Sequence, residues 1–508
     1  MSRLLVYISL CITLIFFFSC QQKSLETGNV GELIPYVNSK NKWGYKDGID
    51  GRKVVKCEYD LTYPFINGIA RIVNHEKGTE EKRYGLIDNV GNIITPIIYT
   101  DIAPFKMGYS IANKNGQYEL IDSTGRVISK HPYEKIERAG ELNFMVKHNG
   151  KFGCINFSGK EIIPCEYTLI NYSEDYPELI VHNEIGRLAY FNSKGERLTP
   201  FKYTVIAPFR QEEYTTVKDT TGNFGFIDKA GNEKLFPPEY IIGTLTEGMA
   251  SFMLNNKEGY IDTNGRIAFF KTYQFPLSLG YSDGLINIKE SQMGKWGFYD
   301  KEGIVTIPFI YDDVKNFRGG YCVVSKNEKY GLINKKNETI LNFEYDGLEY
   351  VNDSLIIAKL DGKRGIITVN GYLIVPYLYD GYTIISDSLV QFKVLASSPL
   401  YPKEYEGNNP MYGFYSPSEK EIEIKYNNVL YSDEIDIFND DLCMVVANGK
   451  MGFINRAGNL IIPCIYDLPY SQNKENTCFR WGVLHVTKGD KKGYIDTKGR
   501  EYWIKCNE

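Results

Sequence analysis

The stretch GKWGFYDKEGIVTIPFIYDD, residues 294–313, reads as two short strands joined by a turn. Side chains in KWGFYD alternate with the period of a β-strand, so Trp296 and Phe298 share one face and Gly297 and Tyr299 the other. Asp300 and Gly303 then bracket a reversal. The chain writes this stretch again and again. EKYGLINKKNETILNFEYDG follows at 328–347, GNFGFIDKAGNEKLFPPEYI stands at 222–241, and GKMGFINRAGNLIIPCIYDL at 449–468. Internal repetition overrides the three or so domains that 508 residues would otherwise suggest.

Aligned on the glycine of the WG step, the copies fall at Gly44, Gly85, Gly153, Gly225, Gly259, Gly297, Gly331, Gly365, Gly413, Gly452 and Gly493. Glu119 and Ala189 occupy the same place in two degenerate copies. The thirteen units are spaced 34 to 41 residues apart, with one gap of 48. These motifs resemble the WG-repeat family of bacterial proteins, over essentially everything after residue 35. That family has no general assigned reaction, so the resemblance implies a repeated β structure and little about chemistry.

Four parts recur in each unit. A short anchor strand carries the glycine. A turn of form Asp/Asn-x-x-Gly follows, as at Asp88–Gly91, Asp228–Gly231 and Asn455–Gly458; the polar side chain caps the turn and the glycine takes the left-handed position. Where that glycine is missing the residue is Asn337, which tolerates the same conformation. A return strand then runs to a tyrosine. Tyr99, Tyr133, Tyr167, Tyr203, Tyr273, Tyr311, Tyr345, Tyr379 and Tyr466 all lie fourteen residues after the anchor position. Last comes F-x-x-G with an aliphatic strand, as in Phe65–Gly68 and Phe317–Gly320. Trp481-Gly482 occupies this last phase and is not an anchor.

One such unit cannot bury both its faces, and stacking completes each core. The expected fold is all-β: tandem antiparallel hairpins or meanders packed as in a propeller, in one or two rings, with an open superhelix as the alternative. The repeats divide into an N-terminal part over 36–280 and a C-terminal part over 281–508, with an insertion at 396–411. The anchor glycine is expected to leave room for an aromatic ring from the facing layer, the tyrosine fourteen residues on.

The first residues stand apart. MSRLLVYISLCITLIFFFSCQQKS has one positive charge, Arg3, and an apolar run from Leu4 to Phe18. That run is shorter than a membrane span of about 20 residues and fits the core of a signal peptide. Ser19-Cys20 at its end resembles a bacterial lipobox. The resemblance implies a signal peptide over 1–19, acylation of Cys20, a tether over 20–35 and attachment to the lipid bilayer. An uncleaved anchor or a plain secretory signal are the alternatives. Gln21 follows Cys20 where an inner-membrane retention signal would have Asp, so the outer membrane facing the periplasm is expected, with the cell surface as a second location.

Chemistry is sparse. A formal charge of −5 offers no basic face for nucleic acid. The five histidines share no ligand spacing, and no nucleophile elbow, P-loop or dinucleotide fingerprint occurs. The turn aspartates lack the dense oxygen spacing of calcium loops. Cys57, Cys165 and Cys464 share one repeat phase and read as small core residues, while Cys478 and Cys506 could pair. No cofactor or metal is expected. Phase-locked aromatics read as core; binding residues should break the pattern. The breaks are Ala396–Gly413, Asn74–Gly85 and Asp467–Cys478, the first expected to protrude as a loop. The leading expectation is a non-catalytic, membrane-tethered scaffold that binds an unidentified protein or glycan. A propeller-type enzyme acting on polysaccharide and a structural envelope spacer are the rivals.

Overall fold

The computed structural model describes residues 33–48, 51–140, 143–172, 178–210, 212–271, 280–291, 293–403, 405, 408–417, 422–429, 438, 441–469, 478–479 and 482–504. Cys20, Tyr273, Trp481 and Cys506 lie outside them. Among the described residues every regular element is a β-strand and every pairing is antiparallel. Thirteen units follow one another, each named here by its anchor position.

The unit of Gly331 shows the plan. A first strand, Asp313–Val314, pairs with a second, Tyr321–Lys326; this pairs with the anchor strand Lys329–Asn334, which pairs with the return strand Thr339–Tyr345. The F-x-x-G segment therefore lies inside the sheet of the anchor that follows it. The repeat read from the sequence began at the anchor strand and straddled two sheets; the chain changes sheet just after the tyrosine. Two-residue turns close the hairpins, with positive φ at both residues in Asn67-Gly68 and Asn149-Gly150, as the strand twist demands. In the Asp-x-x-Gly turn the carboxylate accepts two backbone N–H groups; Asp88 takes those of Val90 and Asn92 at 3.0 and 2.7 Å. Asn337 has φ 64°, in the glycine's place.

Each sheet is packed on both faces, which is why the middle of the anchor strand is apolar without a break. Leu332 joins the core shared with the next unit, beside Leu348 and Ile356, while Ile333 joins the core shared with the unit before, beside Phe298 and Tyr311. The same division holds for Leu86 and Ile87, and for Phe453 and Ile454. The phased tyrosines fill these junctions. Tyr59, Tyr99, Tyr133, Tyr203, Tyr311, Tyr345, Tyr379, Tyr426 and Tyr466 are buried. Several hydroxyls reach the following unit: Tyr203 bonds Glu233 at 2.6 Å, Tyr311 bonds Asn337 at 2.6 Å and Tyr466 bonds Glu501 at 2.9 Å.

The anchor glycine does something other than expected. In seven units the return strand of its own sheet bulges opposite it: Met451 pairs with Tyr466 and Phe453 with Ile462, so three residues of the return strand face Gly452 alone, whereas Gly225 and Gly493 pair directly with Leu235 and Trp503. A Cβ on Gly452 would stand 2.6 Å from the Ile462 carbonyl oxygen and 2.7 Å from both the Cys464 amide nitrogen and its Sγ. At Gly297 the obstacles are the Ile307 carbonyl at 2.7 Å and the Phe309 amide at 3.0 Å. The glycine makes way for backbone of its own sheet; the tyrosine ring lies elsewhere, paired across from the residue before the glycine, as in Trp296 with Tyr311. Cys165 and Cys464 sit over this glycine, half-buried, and neither carries a disulfide. In the unit of Glu119 isolated bridges replace the return strand, as Tyr412–Tyr426 does in the unit of Gly413. Past Ala189 the single pair Leu188–Tyr203 then fuses two units into one seven-stranded sheet.

The array closes on itself. Leu33–Val37, the second strand of the first unit, lies against Glu501–Ile504, the return strand of the last. This is the contact of roles that joins Val305–Tyr311 to Tyr321–Lys326 at an ordinary junction. Tyr63 meets Tyr494 edge to face with ring centroids 5.9 Å apart, and Gly482 rests on the side chain of Ile66. Behind Tyr63 the buried Arg71 guanidinium lies 4.4 Å from its ring and 5.2 Å from that of Tyr84. Among the described residues thirteen units in twelve sheets form this closed run, more than the four to eight blades of ordinary propellers.

Candidate functional site

Most polar groups that recur serve the fold. A lysine two residues before the anchor pairs with the aspartate that follows the phased tyrosine: Lys42 with Asp60 at 2.5 Å, Lys329 with Asp346 at 2.7 Å, and likewise Lys295 with Asp312, Lys363 with Asp380 and Lys450 with Asp467. The same aspartates accept backbone N–H groups: Asp346 takes that of Gly362 at 3.1 Å and Asp467 that of Gly489 at 2.8 Å. At Asp380 burial pushes the carboxyl up, but the Lys363 ammonium and the Leu395 N–H outweigh it and leave the group below its ordinary value. The sequence signal was available in the recurring K-x-G and Y-D steps, seventeen residues apart from lysine to aspartate in four of the five pairs, and was not read.

The pattern-breaking segments sort differently. The insertion at 396–411 lies between the second strand Leu389–Val394 and the anchor strand Met411–Tyr415. Its Leu400, Tyr401 and Tyr405 pack against the core shared by the units of Gly365 and Gly413, and the Tyr401 hydroxyl bonds the Asn409 carbonyl at 2.8 Å. It folds back where a protruding loop was expected, because it carries enough apolar surface to cover that core. In Asn74–Gly85 the Arg83 guanidinium bridges Glu76 and Glu81 at an exposed hairpin tip. Of Asp467–Cys478, residues 470–477 lie outside the described ones.

The groove that sequence reasoning missed lies along the first strands of the units of Gly331, Gly365 and Gly413. Two adjoining cavities of about 370 and 470 Å³ share Lys315, Leu348 and Glu349, within the size of small-ligand sites. The first strand Gly347–Tyr350 forms the floor, and Gly347 faces Lys359 across the sheet. Here the first strand opens on a glycine, in "DGLEY" and again in "DGYTI", where other units place a side chain; that was the legible hint. Half-buried rings of Tyr330, Tyr350 and Tyr382 flank the groove. Its carboxylates are engaged: Glu349 accepts the Tyr382 hydroxyl, Asp346 holds Lys329, and Asp353 beside it pairs with Arg318 at 2.7 Å. Arg364 donates to the Asp380 carbonyl and lies 5.9 Å from the Tyr382 ring. Burial first, then the bond to Glu349, pushes the Tyr382 phenol well above its ordinary value. The Tyr350 hydroxyl is shielded from water and has no partner.

Among the described residues no group of three His, Cys, Asp or Glu is placed to hold a metal ion, and no helix is long and apolar enough to cross a membrane.

Comparison with known proteins follows this geometry. No curated protein matches the chain. Solved structures match weakly. The eukaryotic initiation factor crystal structure is 9% identical over 59% of this chain and 90% of that one, with a TM-score of 0.31. BamB from Moraxella catarrhalis is 12% identical over 51% and 93%, at 0.22, and the WD40 domain of SCAP from fission yeast is 13% identical over 58% and 96%, at 0.25. A family model described as the WG containing repeat matches residues 43–77, 84–118, 152–176, 296–330, 330–363 and 451–468. The chain carries the WG containing repeat at six places along its length.

Proposed function

We propose that this protein is a non-catalytic binding scaffold of the bacterial cell envelope, tethered through acylated Cys20 and presenting its ring to a glycan or protein partner at the periplasmic face of the outer membrane. One observation carries the binding part. Side chains that recur in the turns, junctions and ion pairs serve the fold, whereas Lys315, Arg318, Glu349, Lys359 and Tyr382 gather in one groove. A catalytic site asks for a nucleophile or acid–base pair poised on substrate, and the groove's carboxylates are held by a phenol and by ammonium groups. The tether rests on the apolar run Leu4–Phe18 ending in Ser19-Cys20.

Metabolic labelling with a palmitate analogue tests the anchor: the wild type takes up label and Cys20→Ser does not. Incubation of the full chain with a panel of oligosaccharides, followed by separation of bound and cleaved material, tests the rest. Retention without new reducing ends is expected. Release of shortened saccharide would overturn the scaffold reading in favour of a polysaccharide-active enzyme.

A further inference from the structure

We infer that the groove over the units of Gly331, Gly365 and Gly413 is a subsite for an acidic saccharide, a sugar ring bearing a carboxylate. The inference rests on the binding reading above and narrows it to a chemical class.

The charge balance of the lining selects the sign of the ligand. Every carboxylate there already has a partner within the fold, as described for Asp346, Glu349 and Asp353. The ammonium groups of Lys315 and Lys359 have none: neither makes a hydrogen bond or ion pair among the described residues, although Lys359 is near enough to help hold the Asp346 carboxyl low, after the Lys329 and Gly362 hydrogen bonds. Both stand on the wall of the same groove. An incoming carboxylate would supply the charge-assisted partner that each lacks.

The shape and the rings select the rest of the ligand. Gly347, by omitting a side chain opposite Lys359, leaves a hollow beside that ammonium rather than a filled surface. The half-buried rings of Tyr330 and Tyr382 border the cavity. An aromatic wall favours the C–H face of a sugar ring. A small inorganic anion would satisfy the lysines and leave the rings unused.

Isothermal titration of the full chain with trigalacturonate, and with maltotriose as the neutral counterpart, tests this. The acidic trimer is expected to bind and the neutral one to bind at least tenfold more weakly. Lys359→Met and Lys315→Met should each weaken the acidic trimer about tenfold, the worth of a charge-assisted bond, with unchanged far-UV circular dichroism. Raising salt should weaken it further. Binding of trigalacturonate that is indifferent to both substitutions overturns the inference, as does its failure to bind. Equal binding of both trimers, unaffected by the lysines, overturns the acidic class and leaves the scaffold reading standing; cleavage of either trimer sinks the scaffold reading itself.

Discussion

Replacing Gly452 by alanine and then by valine separates two reasons for an anchor glycine. An added Cβ would lie 2.6 Å from the Ile462 oxygen and 2.7 Å from the Cys464 nitrogen, where ordinary contact begins at 3.4 Å. Backbone on the bulged strand must therefore retreat by roughly 0.7 Å on two sides at once. Ile462 and Tyr466 flank that bulge and belong to one core with Met451, Phe453 and Leu484, so the shift loosens the junction with the last unit as well. Overpacking of this kind costs about 1–3 kcal/mol. Alanine also narrows the unfolded ensemble, a gain of about 0.4–1 kcal/mol that works against the loss. The net is about 1 kcal/mol for alanine and about 3 kcal/mol for valine, which adds two methyls to the crowded Cβ. Hydrogen exchange by mass spectrometry reads this locally: peptides from 442–467 and 483–504 should lose protection, and those from the unit of Gly153 should not. Urea unfolding gives the total. If alanine and valine cost the same, or neither costs anything, steric crowding by the return strand is not why the glycine is there.

Acid should unfold the array in a defined window. Asp60, Asp312, Asp346, Asp380 and Asp467 all titrate below their ordinary range in the folded chain, so the unfolded chain takes up protons first. Their stabilisation is full above about pH 4 and drains away as pH falls through the folded values; Asp380→Asn should flatten that acid limb of a circular dichroism titration, and an unchanged limb would contradict the assignment. Tyr466→Phe removes the hydroxyl that reaches Glu501 and should cost about 1 kcal/mol, read as faster exchange in 483–504 with little change in 53–59. Tyr494→Ala, at the contact between the last unit and Tyr63, should cost about 3 kcal/mol and open both 61–88 and 483–504 to proteolysis together; cleavage in one segment alone would argue against closure. Thiol titration under native conditions should leave Cys154 and Cys322 unlabelled, since both are buried and burial lifts the Cys154 thiol to about 12.

Local chemistry was legible in the sequence wherever a residue acts on its own neighbours. The Asp-x-x-Gly turns, Asn337 standing in for glycine, and the phased tyrosines as core all follow from side-chain reach and backbone permissiveness over a few residues. Features that depend on how strands pair were not. The phase of the sheet eluded the repeat because a periodic sequence has no intrinsic starting point; only the pairing of Tyr321–Lys326 with Lys329–Asn334 places the boundary after the tyrosine. The neighbour of Gly452 was misassigned because a bulge leaves no mark on hydrophobic periodicity. Insertion 396–411 was expected to protrude on its Pro and Glu content, while Leu400, Tyr401 and Tyr405 decide its place by burial. The groove was invisible because Lys315 and Lys359 are separated by more than a full unit, and each alone is an ordinary surface lysine.

A stack of sheets that simply stopped would present two raw apolar walls to water, and linear arrays spend dedicated terminal units on hiding them. Here the contact between Leu33–Val37 and Glu501–Ile504 lets each wall hide the other. Copy number then ceases to be freely adjustable. Duplication or loss of a single module, harmless in an open stack, would leave a wedge or an overlap at that seam, so the count of thirteen is itself a part of the design on which selection can act.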